Sequence, residues 1–276
     1  MDRRTRRRLG QHFLRDRRVA QAIVDLARPT LHDVVVEIGP GRGALTELLA
    51  ERAGRLLALE VDQTLIAGLA QQMSRFSHVE VVHSDARRFD YTTLFSLRPD
   101  PGGRVVVVGN LPYSVSKPIL LRLVEARTSL SEMVLTLQKE VAERVVSEPG
   151  PKRYGVLSIL TQLYCDARLA FSIPPGAFVP PPQVESAVIQ MTPLPAPRVR
   201  LANEQFFQHL VKAAFAQRRK TLANGLAGGL RMPVEAVKSR LAAVGIDPAR
   251  RAETLSIEEF ARLASALELL REVEGE

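Results

Sequence analysis

A chain of 276 residues with 46% hydrophobic and 25% charged residues can bury the cores of one or two domains, and it lacks the bias of a disordered or fibrous protein. Its only cysteine, Cys165, excludes an intrachain disulfide, and no apolar run reaches the roughly 18–20 residues that span a bilayer. The net charge of +8 favours an anionic partner, nucleic acid before an acidic membrane surface.

That charge is unevenly placed. Residues 1–18 carry eight Arg against Asp2 and Asp16, a net of +6. Residues 200–251 carry ten Lys and Arg against Glu204, Glu235 and Asp247, a net of +7, whereas 252–276 is acidic at −5. The Arg-rich start is followed by no apolar stretch of the kind that completes a signal peptide, so a cytoplasmic protein is expected.

In chain order, Val34–Ile38, Leu56–Val61, Val79–His83, Arg104–Gly109 and Met133–Gln138 are near-continuous apolar runs of strand length. Such runs suit strands buried on both faces of a parallel sheet. Between them, Ala44–Arg52, Gln63–Met73, Lys117–Ala126 and Lys139–Ser147 have helical spacing. The alternation predicts a doubly wound, Rossmann-like α/β sheet. Two later strands, Ala167–Ile173 and Glu185–Met191, bracket the Pro-rich segment Pro174–Gln183 and suggest a hairpin at the end of the sheet. Pro193, Pro195 and Pro197 suit an extended linker. Beyond it, Glu204–Ala216, Lys220–Leu226, Val234–Val244 and Ile257–Leu270 read as helices, the last with a capping box at Ser256 and Glu259. The expected organisation is a catalytic domain over 1–195 and a small, basic, all-helical domain over 200–276.

The first strand ends in Glu37-Ile38-Gly39-Pro40-Gly41-Arg42-Gly43. Glycines here let the backbone turn sharply and approach a ligand lying across the strand ends. The spacing is G-x-G-x-G, not the G-x-G-x-x-G of nicotinamide sites, and Glu37 precedes the first glycine. A pyrophosphate is repelled by that carboxylate, whereas an amino acid bearing a sulfonium is attracted. Glu60, followed by Val61 at the end of the second strand, can accept hydrogen bonds from both ribose hydroxyls. Asp85, followed by Ala86 after the third, can accept from an adenine amine. Each acid alone is an ordinary loop or capping residue. Three at successive strand ends describe a nucleoside cofactor with a cationic tail.

After the fourth strand comes Asn110-Leu111-Pro112-Tyr113. The exocyclic amine of adenine is a poor nucleophile because its lone pair is delocalised into the ring. An Asn oxygen and the Leu111 carbonyl, both accepting from that amine, localise the lone pair towards a methyl donor. Pro112 fixes the backbone, and Tyr113 offers an aromatic face to a base taken out of its stack. Positioning and electrostatics suffice for this chemistry, because a sulfonium supplies its own leaving group and neither a metal nor a covalent nucleophile is required. Phe178, in Phe178-Val179-Pro180-Pro181-Pro182, is a candidate second wall for the base, or a packing residue.

These residues resemble the ribosomal RNA adenine dimethyltransferases, most closely the bacterial small-subunit branch. The resemblance runs from Leu9-Gly10-Gln11-His12-Phe13-Leu14 through the glycine loop, Glu60, Asp85-Ala86 and Asn110–Tyr113. It continues through Gln138–Ala142 and Phe178–Ser186 to Phe215–Leu222 and Arg251-Ala252-Glu253. It implies S-adenosylmethionine as cofactor, S-adenosylhomocysteine as product, and dimethylation of two adjacent adenines in the terminal hairpin of small-subunit RNA. Gln11 with Gly39, Gly41 and Gly43 then serves the methionine end, Glu60 the ribose, and Asp85 with the Ala86 backbone the adenine; His12, Leu14, Glu37 and Val61 join them as cofactor-binding residues. Asn110 is shared between cofactor and target base, and Phe178 closes the base pocket. His12 stands where the family often has Asn. Arg6, Arg7, Arg8, Arg218, Arg219 and Lys220 are expected to contact RNA phosphates, with a pre-ribosomal particle as partner and a monomer as the working form. A macrolide-resistance type large-subunit methyltransferase shares the cofactor loop and base pocket, but not the helical-domain segments. An assembly or transcription factor on the same scaffold is the reading from another class, and a DNA adenine methyltransferase is disfavoured because no segment of this chain resembles a separate base-reading domain.

Overall fold

A computed structural model describes residues 11–217 and 219–274. The elements in order are β1 (Phe13–Leu14), α1 (Arg17–Ala27), β2 (Val34–Ile38), α2 (Thr46–Ala50), β3 (Arg55–Glu60), α3 (Gln63–Met73), β4 (Val79–His83) and β5 (Val105–Asn110). They continue with α4 (Ser116–Glu125), β6 (Glu132–Gln138), α5 (Lys139–Val145), α6 (Val156–Tyr164), β7 (Cys165–Ile173), β8 (Phe178–Val179) and β9 (Ser186–Pro193). Last come α7 (Glu204–Ala216), α8 (Leu222–Leu230), α9 (Val234–Ala243) and α10 (Ile257–Glu274). Among the described residues, no helix is long and apolar enough to cross a membrane.

The chain divides into two compact units. The first runs to Glu143 and resumes over Cys165–Pro195; the second takes Arg144–Tyr164 and the chain from Ala196. The change of unit near residue 195 falls in the Pro-rich linker. Helix α6, in a segment that lies within the expected 1–195 domain and for which no helix was expected, groups with the helices of the second unit.

The first unit is built on a seven-stranded sheet of order β4-β3-β2-β5-β6-β9-β7. Strands β2 to β6 pair in parallel, and β9 is antiparallel to both neighbours, β6 and β7. The β7–β9 pair is the expected hairpin, with a bulge between Leu169 and Phe171. All five residues of β2 are buried, as are Val105–Gly109 of β5, so these strands are apolar because both faces are covered. Helix α1 starts at Asp16, whose carboxylate accepts from the Arg18 and Val19 amides, and it ends at Arg28 in the left-handed region. Its buried residues Ala20, Ile23, Val24 and Ala27 join Val35, Val106, Val108 and Val134 in one core cluster. Each fully buried Val or Ile side chain among them is worth about 1.5–3 kcal/mol.

Strand order reverses beside β2: the chain steps outward through β3 and β4, then crosses back to β5 on the other side. In sheets of this kind, the carboxyl ends of the strands at that reversal form a ligand crevice. A separate two-stranded clasp, β1 antiparallel to β8, pairs Phe13 with Val179 and Leu14 with Phe178.

In the second unit, Tyr154, Phe215 and Phe260 form an aromatic chain with centroids 6.4 and 6.1 Å apart. Asn203 caps α7 through the Phe206 amide. The capping box of α10 is formed in both directions: Ser256 Oγ accepts from the Glu259 amide at 3.2 Å, and Glu259 Oε2 from the Ser256 amide at 2.9 Å. Arg250 grips Glu259 with two hydrogen bonds of 2.6 and 3.0 Å.

Candidate active site

A cavity of about 280 Å³ opens at the carboxyl ends of β2, β3, β4 and β5, beneath β1. The glycine loop forms its floor. Gly39, Gly41 and Gly43 have φ of 69°, 57° and 84°, a region that side chains other than glycine enter at a cost. A Cβ on Gly41 would also sit 2.8 Å from the Phe13 ring. The loop is pinned by Gly39 N–H to the Leu59 carbonyl at 3.0 Å and by Gly43 N–H to the Pro40 carbonyl at 2.9 Å.

Glu60, at the end of β3, is buried and ties the loop to its own strand. Its Oε2 accepts from the Gly41 amide at 3.1 Å, and its Oε1 from the Val61 and Asp62 amides at 2.9 and 2.8 Å. Burial raises its pKa above the usual carboxylate value, against the pull of those three amides and with the nearby Asp62 charge adding to the rise. Asp85 is held by Arg87, whose Nε lies 2.9 and 3.0 Å from its two oxygens and whose Nη2 is 2.5 Å from Oδ2. Those hydrogen bonds draw the Asp85 carboxyl below its ordinary value, against a smaller effect of burial. Tyr91 is fully buried and donates to the Ala86 carbonyl at 2.9 Å, fixing the peptide that follows Ala86.

Asn110 closes β5. Its Nδ2 donates to the His12 carbonyl at 2.9 Å. A backbone carbonyl can only accept, so the amide nitrogen must face His12, and Oδ1 remains as the acceptor on the cavity side. The Leu111 amide is bound to the Thr136 carbonyl at 3.1 Å, which orients the Leu111–Pro112 segment. The Tyr113 ring lies 5.4 Å from the His12 ring at 32°, and its hydroxyl is 2.5 Å from Ser186 Oγ. Burial raises the Tyr113 pKa, against the Ser186 hydrogen bond, so the phenol stays neutral. His12 Nδ1 in turn meets the Pro180 carbonyl at 2.8 Å, so β1 is bound both to the Asn110 side chain and to the Pro-rich segment.

Two polar atoms of the lining are buried without a hydrogen-bond partner, Gln11 Oε1 and Glu37 Oε2. Both are acceptors. A ligand carrying an ammonium and a sulfonium answers acceptors of this kind, and the side-chain-free glycine floor leaves room for it. The residues present therefore fit a cofactor of the S-adenosylmethionine type.

Of the residues selected from sequence, Gln11, His12, Leu14, Glu37, Gly39, Gly41, Glu60, Val61, Asp85, Ala86 and Asn110–Tyr113 all line this one cavity. Gly43 does not; it closes the turn and packs towards Leu69 and Gln72 of α3. Phe178 does not line it either. Pairing with β1 turns alternate residues of β8 inward and outward, so Phe178 is buried at 2% exposure in the core while Val179 is 40% exposed. Phe178 packs in the core cluster and pairs with Leu14 across the clasp. Arg219 and Lys220 are exposed after α7, while Arg6, Arg7, Arg8 and Arg218 lie outside the described residues. The sequence reading missed Phe13, Arg42, Arg87 and Ser186. Phe13 lay inside a motif whose neighbours were chosen, and Arg42 covers its ring at 4.9 Å. Arg87 and Ser186 had no signal apart from the residues they hold.

Fold and cavity together define a doubly wound, Rossmann-like methyltransferase. The chain belongs to the ribosomal RNA adenine dimethylase family, whose model matches residues 2–269. It is 44% identical over 265 residues to ribosomal RNA small subunit methyltransferase A of Geobacter metallireducens, covering 96% of each chain. The protein of the same name from Bacillus mycoides is 44% identical over 262 residues, 94% of this chain and 90% of that one. Among solved structures, a dimethyladenosine transferase from Plasmodium falciparum aligns with a TM-score of 0.78 at 22% identity, over 96% of this chain and 98% of its own. The 23S rRNA methyltransferase ErmE aligns at 0.69 and 24% identity, over 93% and 99%. At such identities the two structures speak for the fold.

Proposed function

We propose that this protein transfers methyl groups from S-adenosylmethionine to the N6 amines of two adjacent adenines in the 3′-terminal hairpin of small-subunit ribosomal RNA. It acts in the cytoplasm, as a monomer, on a pre-ribosomal particle, and leaves S-adenosylhomocysteine. The observation that carries the reading is the Asn110 amide, oriented by the His12 carbonyl at 2.9 Å so that its oxygen is presented to a donor. Bound S-adenosylmethionine supplies an activated methyl group on a cationic sulfur. Glu60 and Asp85 orient its nucleoside end, and Gln11 and Glu37 face its charged end. Asn110 Oδ1 and the Leu111 carbonyl accept from the target amine and localise its lone pair. The Tyr113 ring, held by Ser186, provides the stacking face. Fixed acceptors of this kind need no reorganisation as charge develops on nitrogen.

The names of the curated relatives support the small ribosomal subunit as substrate. The likeness to ErmE concerns a fold that both branches share. The test supplies labelled S-adenosylmethionine to the full chain with unmethylated small subunits, large subunits or duplex DNA, and with Asn110→Ala protein as control. Dimethyladenosine in small-subunit RNA, dependent on Asn110, is the expected result. Label in the large subunit instead moves the protein to the other branch.

A further inference from the structure

Glu37 differs from the other acids of the cavity because no donor answers its Oε2. It is the fourth residue of β2, locked between Ala58 of β3 and Val108 of β5. The side chain is 2% exposed, lines the cavity, and leaves Oε2 unpartnered. Glu60 by contrast accepts three amides, and Asp85 holds Arg87.

The titratable groups around it are few. His12 just before β1, Arg42 in the glycine loop, Glu60 on β3, Asp85 and Arg87 after β4, and Tyr113 after β5 share the lining. Arg42 is stacked on the Phe13 ring. Glu60 acts on Glu37 by repulsion, and the Thr46 hydroxyl of α2 opposes the rise without reaching hydrogen-bond geometry. Burial is the dominant effect and pushes the Glu37 carboxyl up to about 8. A buried carboxyl has two ways to escape an unpaired charge: to keep its proton, or to face a cation. The cofactor before and after transfer differs by one such cation, since the methylated sulfur is charged and the thioether is not.

We propose that Glu37 senses this charge, giving up its proton when S-adenosylmethionine binds and taking one back when S-adenosylhomocysteine remains. The inference rests on the cofactor reading above. Transfer breaks the S–CH3 bond with its electron pair left on sulfur, forms the N–CH3 bond, and releases one proton from the amine. The Glu37 carboxylate then faces a neutral thioether and takes a proton from solvent. Over a cycle Glu37 loses one proton and regains one, so one proton is released per methyl transferred. The device favours the methyl donor over the product and makes product release part of the same charge change.

The test is calorimetric titration of the full chain at pH 7 with each ligand, in phosphate and in Tris, whose ionisation enthalpies differ. S-adenosylmethionine should release about 0.9 proton more than S-adenosylhomocysteine, the protonated fraction of a group titrating near 8. Between pH 6 and 7 the donor-to-product affinity ratio should rise about tenfold. Glu37→Gln keeps the shape of the neutral acid, and in it both the extra proton and the pH dependence of the ratio should vanish. Equal proton counts for the two ligands, or an extra proton that persists in Glu37→Gln, overturns the inference and leaves the cofactor reading intact. Failure of both ligands to bind the unaltered chain removes the cofactor reading and the inference with it.

Discussion

Asn110 is expected to serve both target base and cofactor, whereas Gly41 is expected to serve the cofactor alone. The Asn110 amide has one side committed to the His12 carbonyl, so its oxygen is held in place before any ligand arrives. Replacing it with Ala removes that acceptor while the backbone of β5 stays paired. Loss of one preorganised polar group at a reacting centre costs about 10²–10³ in kcat. Single-turnover methylation by Asn110→Ala at saturating cofactor should fall by that factor; a rate within tenfold of the unaltered protein would show that Asn110 is not the acceptor. Gly41→Ala acts on the other function. At φ 57° with the Phe13 ring 2.8 Å from the new Cβ, the loop must shift, and the left-handed conformation itself costs about 1–2 kcal/mol. Cofactor affinity measured by calorimetry should drop at least about tenfold, by the relation of 1.4 kcal/mol per decade.

The β1–β8 clasp shows how a buried ring serves a site it does not touch. Phe178 lies in the core cluster with Leu14, Ile23 and Val188, and its strand carries β1, which in turn supplies the His12 carbonyl to Asn110. Phe178→Ala should cost about 3–5 kcal/mol in denaturant unfolding. It should lower cofactor affinity and kcat together, because β1 loses its support. Phe178→Leu should restore both, as a stacking role for the ring would not allow. On the opposite ends of the strands, Arg104 joins β5 to Asp33 at 2.8 Å, to Glu132 at 3.0 Å and to the Arg28 carbonyl at 2.5 Å. Burial pushes the Asp33 carboxyl up, but hydrogen bonds from Arg104 and Thr30 outweigh it and set the pKa below its ordinary value. A folded-state pKa lowered in this way contributes stability above about pH 4 that is lost as pH falls through the folded value. The thermal-stability advantage of the unaltered protein over Asp33→Asn should therefore hold from neutral pH to about 4 and shrink below it; an advantage independent of pH would remove the charge from the account. The central strands were legible in sequence because Val34–Ile38 and Val105–Val108 are buried on both sides, leaving apolar runs interrupted only by Glu37. Helix α6 was not legible for a related reason. Ser158–Thr161, Leu163 and Tyr164 are all buried, so no polar face betrays the period, and the run merges with the strand that follows. Helix α1 was obscured by Arg17 and Arg18 at its start, although Ala20, Ile23, Val24 and Ala27 do mark a stripe. The inward turn of Phe178 was not legible because the clasp that produces it is a long-range pairing with residue 14.

For the molecule as a whole, the division of labour follows from where charge lies. In the proposed function the cavity wall around Asn110–Tyr113 offers acceptors for one amine and a stacking face, which suits an exocyclic base amine but does not choose an RNA. That choice must come from contacts outside the cavity, and the chain's excess of +8 provides for phosphate contacts. Arg219 and Lys220 are the exposed pair that the sequence placed on RNA, just beyond the last turn of α7. The Lys220 amide is bound to the Gln217 carbonyl at 2.9 Å, so the segment leaves the helix in a defined turn. Replacing both side chains with Gln keeps their hydrogen-bonding capacity and removes two charges. If each neutralises one phosphate, the slope of log K against log salt should become shallower by about 0.7–0.9 per charge. Small-subunit affinity should fall, most at low salt, while kcat at saturating substrate and S-adenosylhomocysteine binding remain as they were. An unchanged slope with unchanged affinity would take this turn out of the RNA contact. A lowered kcat at saturating RNA would instead give the pair a part in positioning the target adenine, beyond holding the particle.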